Sequence, residues 1–324
     1  MGLAAPELER QSLMKPQPTP QRGAVLLLTL LMVALVASLV ATTAWRQSAQ
    51  IQIETAQRQR QQGQWLLQGA SDWARLILRE DARTGQSDHG SEPWAVPLKE
   101  SRLSSFLSNQ PGLSGTDLDA AWADRVLLSG GIEDAQGKFN LTNLIQGTKL
   151  DPQATAQLTR LWGLLDLPTP QAQALAQQLL QARQARASVF APRQLEDLIA
   201  WGFDAATLAR LRAHVTVLPD RTPLNVNTAS AEVLAACIEG LDLGRAQRLV
   251  QDRLRSPWTE VQAARQALGN GYDDGRHGIS SSHFVIRGVL RMGELTLTQT
   301  SLVKREGGNV TYVWVASSDV TNAP

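Results

Sequence analysis

Cysteine is all but missing from this chain. Cys237 stands alone among 324 residues, which excludes an internal disulfide and leaves packing, or a bound metal, to stabilise a domain outside the cytoplasm. Its neighbours Val233, Leu234, Ala235 and Ala236 form a helical stretch, so Cys237 reads as a small buried apolar side chain. Aromatic residues are few, 5% of the chain, and Trp outnumbers Phe and Tyr. Neither sign of charge dominates: 31 Lys and Arg face 30 Asp and Glu, a balance that exerts no general pull on nucleic acid. Patterns that carry chemistry are absent as well. There is no Gly-rich phosphate loop, no His-Glu-x-x-His and no Cys/His cluster. His89, His214, His277 and His283 are scattered; the last two lie six apart in a loop, too little for a zinc site. No Ser/His/Asp set can be assembled, so nothing points to an enzyme.

Two further absences are local. No charged residue lies between Arg22 and Arg46, and no proline occurs from Gly23 to Glu92. Residues 24–45 are apolar; at roughly 1.5 Å per helical residue they extend about 33 Å, enough to cross a bilayer core. Three readings compete. A cleaved secretory signal has a shorter apolar region ending in small residues; Thr42 and Ala44 supply the small residues, but the run is too long. A plain transmembrane anchor fits the length. Its orientation is not set by positive charge, because Arg10, Lys15 and Arg22 face Arg46, Arg58 and Arg60 across the run.

The third reading is a leader. The segment Gln21-Arg22-Gly23-Ala24-Val25-Leu26-Leu27-Leu28 resembles that of type IV prepilins. Residues 1–23 would form a cytoplasmic leader, cut after Gly23, whose missing side chain leaves the backbone unhindered. The mature chain would begin at Ala24. Pilins of this group usually carry Glu at the fifth mature position, and here that position is Leu28. A carboxylate inside the bilayer is costly unless paired; in such filaments it pairs with the N-terminal amine of the subunit ahead. A subunit with no neighbour ahead needs no such glutamate, so Leu28 suits a filament tip. The plainer alternative is that Leu28 marks an anchor unrelated to pilins.

Beyond the apolar run the helical pattern continues. Trp65, Gly69, Trp73 and Ile77 recur at spacing four, with Leu66, Ala70 and Leu76 beside them, predicting one helix over residues 24–79 with a bend at Gly63 or Gly69. Residues 81–124 are loop-rich, with Pro111, Gly112 and Gly115 among their punctuation. A hairpin follows: the apolar Val126-Leu127-Leu128, a turn at Glu133-Asp134-Ala135-Gln136-Gly137, then Lys138-Phe139-Asn140-Leu141. Short capped helices fill residues 142–269, opened by Asp151-Pro152, Thr169-Pro170, Pro192, Asp204, Thr228 or Ser230, and Thr259 with Gln262. After Gly271 the period becomes two, and residues 284–290, 295–303 and 310–315 read as strands turning at Gly293 and Gly307-Gly308-Asn309. Val310, Tyr312 and Trp314 are expected on one face.

Three local patterns bear on function. Phe139-Asn140-Leu141-Thr142-Asn143 echoes Leu224-Asn225-Val226-Asn227-Thr228, each ahead of a helix where Asn can bond backbone. Residues 225–246 resemble a helix-hairpin-helix, but the hairpin reads Gly240-Leu241-Asp242, and a carboxylate repels phosphate. Six positive and six negative residues cancel over residues 220–268, where a DNA binder shows a basic face. Asp273 and Asp274, among flexible glycines, form a loop able to hold calcium or simply a solvated turn.

Taken in order, four parts resemble the type II secretion system minor pseudopilins of the general secretion pathway protein K family. They are the leader and helix, the 134–141 turn, the Leu224-Asn225-Val226-Asn227-Thr228-Ala229 segment, and the closing strands from Phe284. The resemblance implies an α+β fold: a pilin-like long N-terminal helix on a small antiparallel sheet, with a large all-α domain inserted before the C-terminal strands. It divides the chain into a cleaved leader at 1–23, a transmembrane and assembly helix at 24–45, the helix continuation, loop and first hairpin at 46–141, the inserted domain at 142–270, and a β-meander at 271–324. It further implies cleavage by the prepilin peptidase between Gly23 and Ala24, N-methylation of Ala24, and a single-pass inner-membrane protein with its C-terminal domain in the periplasm. The subunit would sit at the pseudopilus tip, acting in initiation or length control of assembly during protein export. The expected partners are the other minor pseudopilins, the major pseudopilin, secreted substrates and the secretin, with no nucleic acid. The family also suggests calcium, which Asp273 and Asp274 would hold here. The competing expectation is a membrane-anchored extracytoplasmic helix-hairpin-helix protein that binds DNA.

Overall fold

The computed structural model describes residues 22–108, 120–184 and 191–321; residues 1–21 of the leader expected at 1–23, and Pro111, Gly112 and Gly115, lie outside the described residues. Helix α1 spans Arg22–Thr84, as a proline-free sequence rich in Ala, Leu, Gln and Arg allows. From Gln61 onward it buries Gly63, Leu67, Ser71, Ala74 and Leu78, one narrow stripe. The expected stripe had the right period but was set one notch off: Trp65 is 77% exposed. Helical structure runs through Gly63 and Gly69. Gly63 marks the close approach of α1 to the sheet, since a Cβ there would come within 2.7 Å of Met292 Cε.

The remaining elements follow in order. β1 (Leu98–Arg102), α2 (Leu103–Ser108), α3 (Ala120–Ala123) and β2 (Val126–Asp134) precede β3 (Phe139–Asn140), β4 (Ile145–Gln146) and β5 (Lys149–Leu150). Then come α4 (Pro152–Leu164), α5 (Thr169–Gln184), α6 (Ala205–Leu211), β6 (Val215–Thr216) and β7 (Leu224–Asn225). α7 (Ala231–Cys237), α8 (Leu243–Arg255), α9 (Val261–Leu268) and β8 (His277–Gly278) complete a helical module. β9 (His283–Met292), β10 (Leu295–Glu306) and β11 (Asn309–Thr321) close the chain. The fold is thus mixed, a long helix and an antiparallel sheet with helices inserted between strands.

The main sheet has the order β1-β2-β9-β10-β11, and every pair in it is antiparallel. β2 and β9 pair from Val126↔Met292 to Asp134↔Phe284, so the helical module leaves and rejoins the sheet at one place. The expected hairpin does not form. β3 pairs instead with β6, in parallel, because Asp134 caps a tight turn over Ala135–Gly137 that carries the chain out of the sheet. The meander is as expected, with Gly293 and Gly307 at positive φ in its turns. One face differs. The register shifts between Leu302 and Val303, leaving Val313 as an extra residue. That bulge puts Tyr312 on the α1 face and Trp314 on the opposite one, beside Leu302 and Leu218.

Candidate functional site

Two regions invite function. The first is the start of α1. From Val25 to Val40 its large apolar side chains are 57% to 71% exposed, Leu28 among them at 58%. The few polar side chains in the run bond within the helix: Thr29 Oγ1 donates to Leu26 O at 2.9 Å, Ser38 Oγ to Leu35 O at 2.9 Å, and Thr42 and Thr43 do likewise. A bilayer demands that satisfaction. Gly23 and Ala24 are exposed, and a Cβ on Gly23 would meet nothing within 4 Å.

The second region is the junction of sheet and helical module, where the two echoing segments are held. Asp134, at the end of β2, is 5% exposed. Its Oδ1 accepts Gln136 N–H at 2.8 Å. Its Oδ2 accepts from Asn225 Nδ2 at 2.8 Å, Thr228 Oγ1 at 2.6 Å and Ser281 Oγ at 2.7 Å. Burial pushes the Asp134 carboxyl up to about 6, against the pull of the Thr228 and Ser281 hydroxyls and the Gln136 amide. Asn140 plays the matching part in the first segment. Its Oδ1 accepts Thr142 N–H and Leu218 N–H, each at 3.1 Å, and its Nδ2 donates to Asp220 O at 2.8 Å. Both asparagines therefore bond backbone, as the sequence implied; Asn225 also reaches across the junction, which it did not imply, while Asn140 ties distant parts of the helical module together.

Beside Asp134 lies an acidic group that sequence reading missed. Asp81, Asp88 and Glu92 bring carboxylate oxygens within 4.8 Å of one another. A cation already sits among them: Arg305 donates to Asp81 Oδ2 at 2.8 Å and to Asp88 Oδ2 at 2.7 Å. Glu92 accepts His89 N–H and Trp94 Nε1–H, each at 2.8 Å. Burial raises the carboxyls of Asp81 and Glu92. Arg305 is more than two hundred residues from these acids in sequence, so no local signal could have found the group.

In the loop read as a calcium site or a solvated turn, both carboxylates have partners. Asp274 pairs with Arg265. Asp273 Oδ1 accepts Gly275 N–H at 2.8 Å, while its Oδ2 lies 3.6 Å from Arg276 Nε. These carboxylates fit ion pairs as placed, and a calcium ion would have to displace both guanidinium groups. The helix-hairpin-helix is formed by α7 and α8, with Gly240 at φ +75°. Asp242 caps α8 by accepting Arg245 N–H at 2.9 Å, so a carboxylate occupies the amides a phosphate would use; that bond holds its pKa below the ordinary carboxylate value. Four of the six arginines in residues 220–268 are engaged too, Arg265 among them. Arg253 is buried and donates to the carbonyls of Val226 and Ala229, Arg245 donates to Ala267 O at 2.9 Å, and Arg221 pairs with Asp151 at 3.0 Å. Cys237 is buried as expected, its thiol pushed up to about 12 by that burial.

Comparison with known proteins bears on the module and then on the whole chain. Residues 224–279, from β7 to β8, match the family model of type II secretion system protein K; this stretch supplies Asn225 and Thr228 to the junction. The type II secretion system protein K of Pseudomonas aeruginosa is 27% identical over 316 residues, covering 88% of this chain and 89% of that protein. Those of Klebsiella pneumoniae and Pectobacterium carotovorum subsp. carotovorum are each 26% identical, over 89% and 90% of this chain and 93% and 95% of theirs. The chain is thus similar to type II secretion system protein K over most of its length. The similarity supports reading it as a minor pseudopilin, a component of protein secretion. The fold agrees with a chain from the crystal structure of the GspK-GspI-GspJ complex of the enterotoxigenic Escherichia coli type 2 secretion system. That likeness has a TM-score of 0.58 at 21% identity and covers 81% of this chain and 98% of that one. The apolar start of α1 is compatible with anchoring in the inner membrane.

Proposed function

We propose that this chain is the tip subunit of the type II secretion pseudopilus and acts in starting assembly and limiting its length. The observation that carries this reading is Leu28. At the fifth position after Gly23 an exposed leucine stands in an uncharged helical run, so the chain has nothing with which to bind the N-terminal amine of a subunit ahead. The inserted helical module supports the same reading, because bulk of this kind suits a cap rather than a repeating unit. The work is mechanical. The apolar helix stores the subunit in the inner membrane, with the C-terminal domain in the periplasm, and later packs against partner helices. The prepilin peptidase cuts after Gly23, and Ala24 is N-methylated. By analogy with the Escherichia coli complex, the partners are the counterparts of GspI and GspJ, then the major pseudopilin below; secreted substrates and the secretin follow as contacts of a tip. Calcium at Asp273 and Asp274 belongs to this reading on condition that Arg265 and Arg276 swing away. A calcium-dependent rise in Tm, lost in the Asp273→Asn/Asp274→Asn double variant, would establish it.

N-terminal mass analysis of the membrane-extracted protein tests the processing. A methylated Ala24 start is expected; an intact Met1, or a start near Trp45, would end the pilin reading. Co-purification with the other minor pseudopilins tests the position, and a stable homopolymer of this chain alone would sink it. The DNA-binding alternative predicts tight, salt-sensitive retention of DNA, whereas Asp242 and the engaged arginines lead us to expect none.

A further inference from the structure

The main sheet ends in an edge that nothing closes. β11 pairs with β10 on one side; among the described residues no strand and no backbone hydrogen bond reaches its other side. Natural sheets guard such an edge with lysine, proline, a short strand or a cover. β11 runs for 13 residues without a lysine, arginine or proline, and Val313 and Val315 are 38% and 45% exposed. Arg75 takes one end only, donating from Nε to Val310 O at 3.0 Å. Beneath the same strand, two clefts of about 610 Å³ and about 560 Å³ lie between the sheet and the helical module. They share Val217, Leu302 and Trp314 as lining. The bulge at Val313 is what turns Trp314 toward them. The indole N–H of Trp314 is buried with no acceptor among the described residues, and an unmatched buried donor is costly. Three exposed arginines, Arg183, Arg193 and Arg287, line the clefts, and among the described residues no carboxylate pairs with their guanidinium groups, although the Arg193 backbone N–H donates to Asp197 Oδ2 at 2.8 Å.

We propose that β11 is a docking edge for an extended acidic segment of another protein, added to the sheet as a sixth strand. The backbone of the segment would take up the open ladder, and its inward side chains would enter the clefts and pack beside the Trp314 ring. Its carboxylates would face Arg183, Arg193 and Arg287. A second copy of β11 suits the edge poorly, because it brings a single acid, Asp319, against three arginines.

The test uses the full chain in detergent. The probe is a labelled peptide as long as β11, alternating valine and glutamate, with a lysine-for-glutamate peptide as control. The acidic peptide is expected to bind saturably and at least about ten-fold more tightly than the lysine peptide, and to slow amide exchange about ten-fold over residues 311–319. Val315→Pro, which breaks an added ladder, should weaken binding about ten-fold, and Trp314→Phe should weaken it several-fold with the fold intact. Equal binding of both peptides, or unchanged exchange in β11, overturns the proposal. So does dimerisation that protects β11 without peptide, which would assign the edge to a second copy. If Val315→Pro fails to fold, the exchange measurement on the unaltered chain decides.

Discussion

The helical module buries one unbroken set of apolar side chains, from Phe139 to Ile279, around the fully buried Trp162. The sheet domain instead divides its apolar residues among three smaller groups and joins them with polar contacts. Gln299 Nε2 donates to Ser71 Oγ at 3.2 Å, Gln68 Nε2 to Tyr312 OH at 3.0 Å, and Arg305 bridges Asp81 and Asp88. The difference separates two kinds of stability. The module rests mainly on area removed from water, which carries no titrating group of its own. The sheet and its junction rest on groups that hold only while every partner is present.

The comparison can be broken most easily at Trp162. Trp162→Ala should cost about 3–5 kcal/mol in urea unfolding, because a large buried ring leaves a cavity; a smaller loss than that of any junction variant would reverse the contrast. Asn225→Ala comes next, at about 2–4 kcal/mol, since it strips a donor from buried Asp134 and from Asp88 O at once. The pH profile sharpens the point. The Asp134 carboxyl is raised in the fold from 3.8 to about 6. Its favourable contribution is therefore complete below pH 3.8 and lost as pH rises through about 6, a change of no more than about 3 kcal/mol. Urea titrations from pH 4 to pH 7 should show the decline, and Asp134→Asn should flatten it; a flat profile in the unaltered chain would remove the polar half of the contrast. The smallest effect is expected at Gly137, whose added Cβ would lie 2.6 Å from Thr228 Oγ1 and 3.0 Å from that residue's carbonyl carbon. Gly137→Ala should cost about 1–3 kcal/mol, read as a lower Tm.

The parts legible in the sequence are those with a local period or a local absence. An uncharged run and the lack of proline announced α1, alternation announced β9 to β11, and Asp151, Asp204 and Ser230 cap the helices they precede. What sequence could not show depends on distant partners. Phe139 pairs with Val215 rather than with its neighbour strand. One extra residue at Val313 sends Trp314 to the other face, and no propensity marks a bulge. The junction was half legible: both of its asparagine segments stood out as an echo, yet their common partner Asp134 was read only as a turn residue. Asp273 and Asp274 read as a calcium loop or a solvated turn, and their pairing with Arg265 and Arg276 could not be assigned before the loop is folded.

The pairing of β2 with β9 has a consequence for the order of events during synthesis. These strands are adjacent in space but separated by about 150 residues of chain. Closing so long a loop from a disordered chain costs roughly 2 kcal/mol more than closing one of about ten residues, at ~0.6 kcal/mol per doubling. The helical module removes most of that difference when it forms first, because Phe139 and Ile279 share its core and it hands Asp134 and Phe284 to each other across short stubs. A ribosome that has released β1 and β2 thus holds two of the sheet's five strands, with no mate for the second edge of β2. That pair waits until the module has folded and the last forty residues arrive to zip the sheet shut.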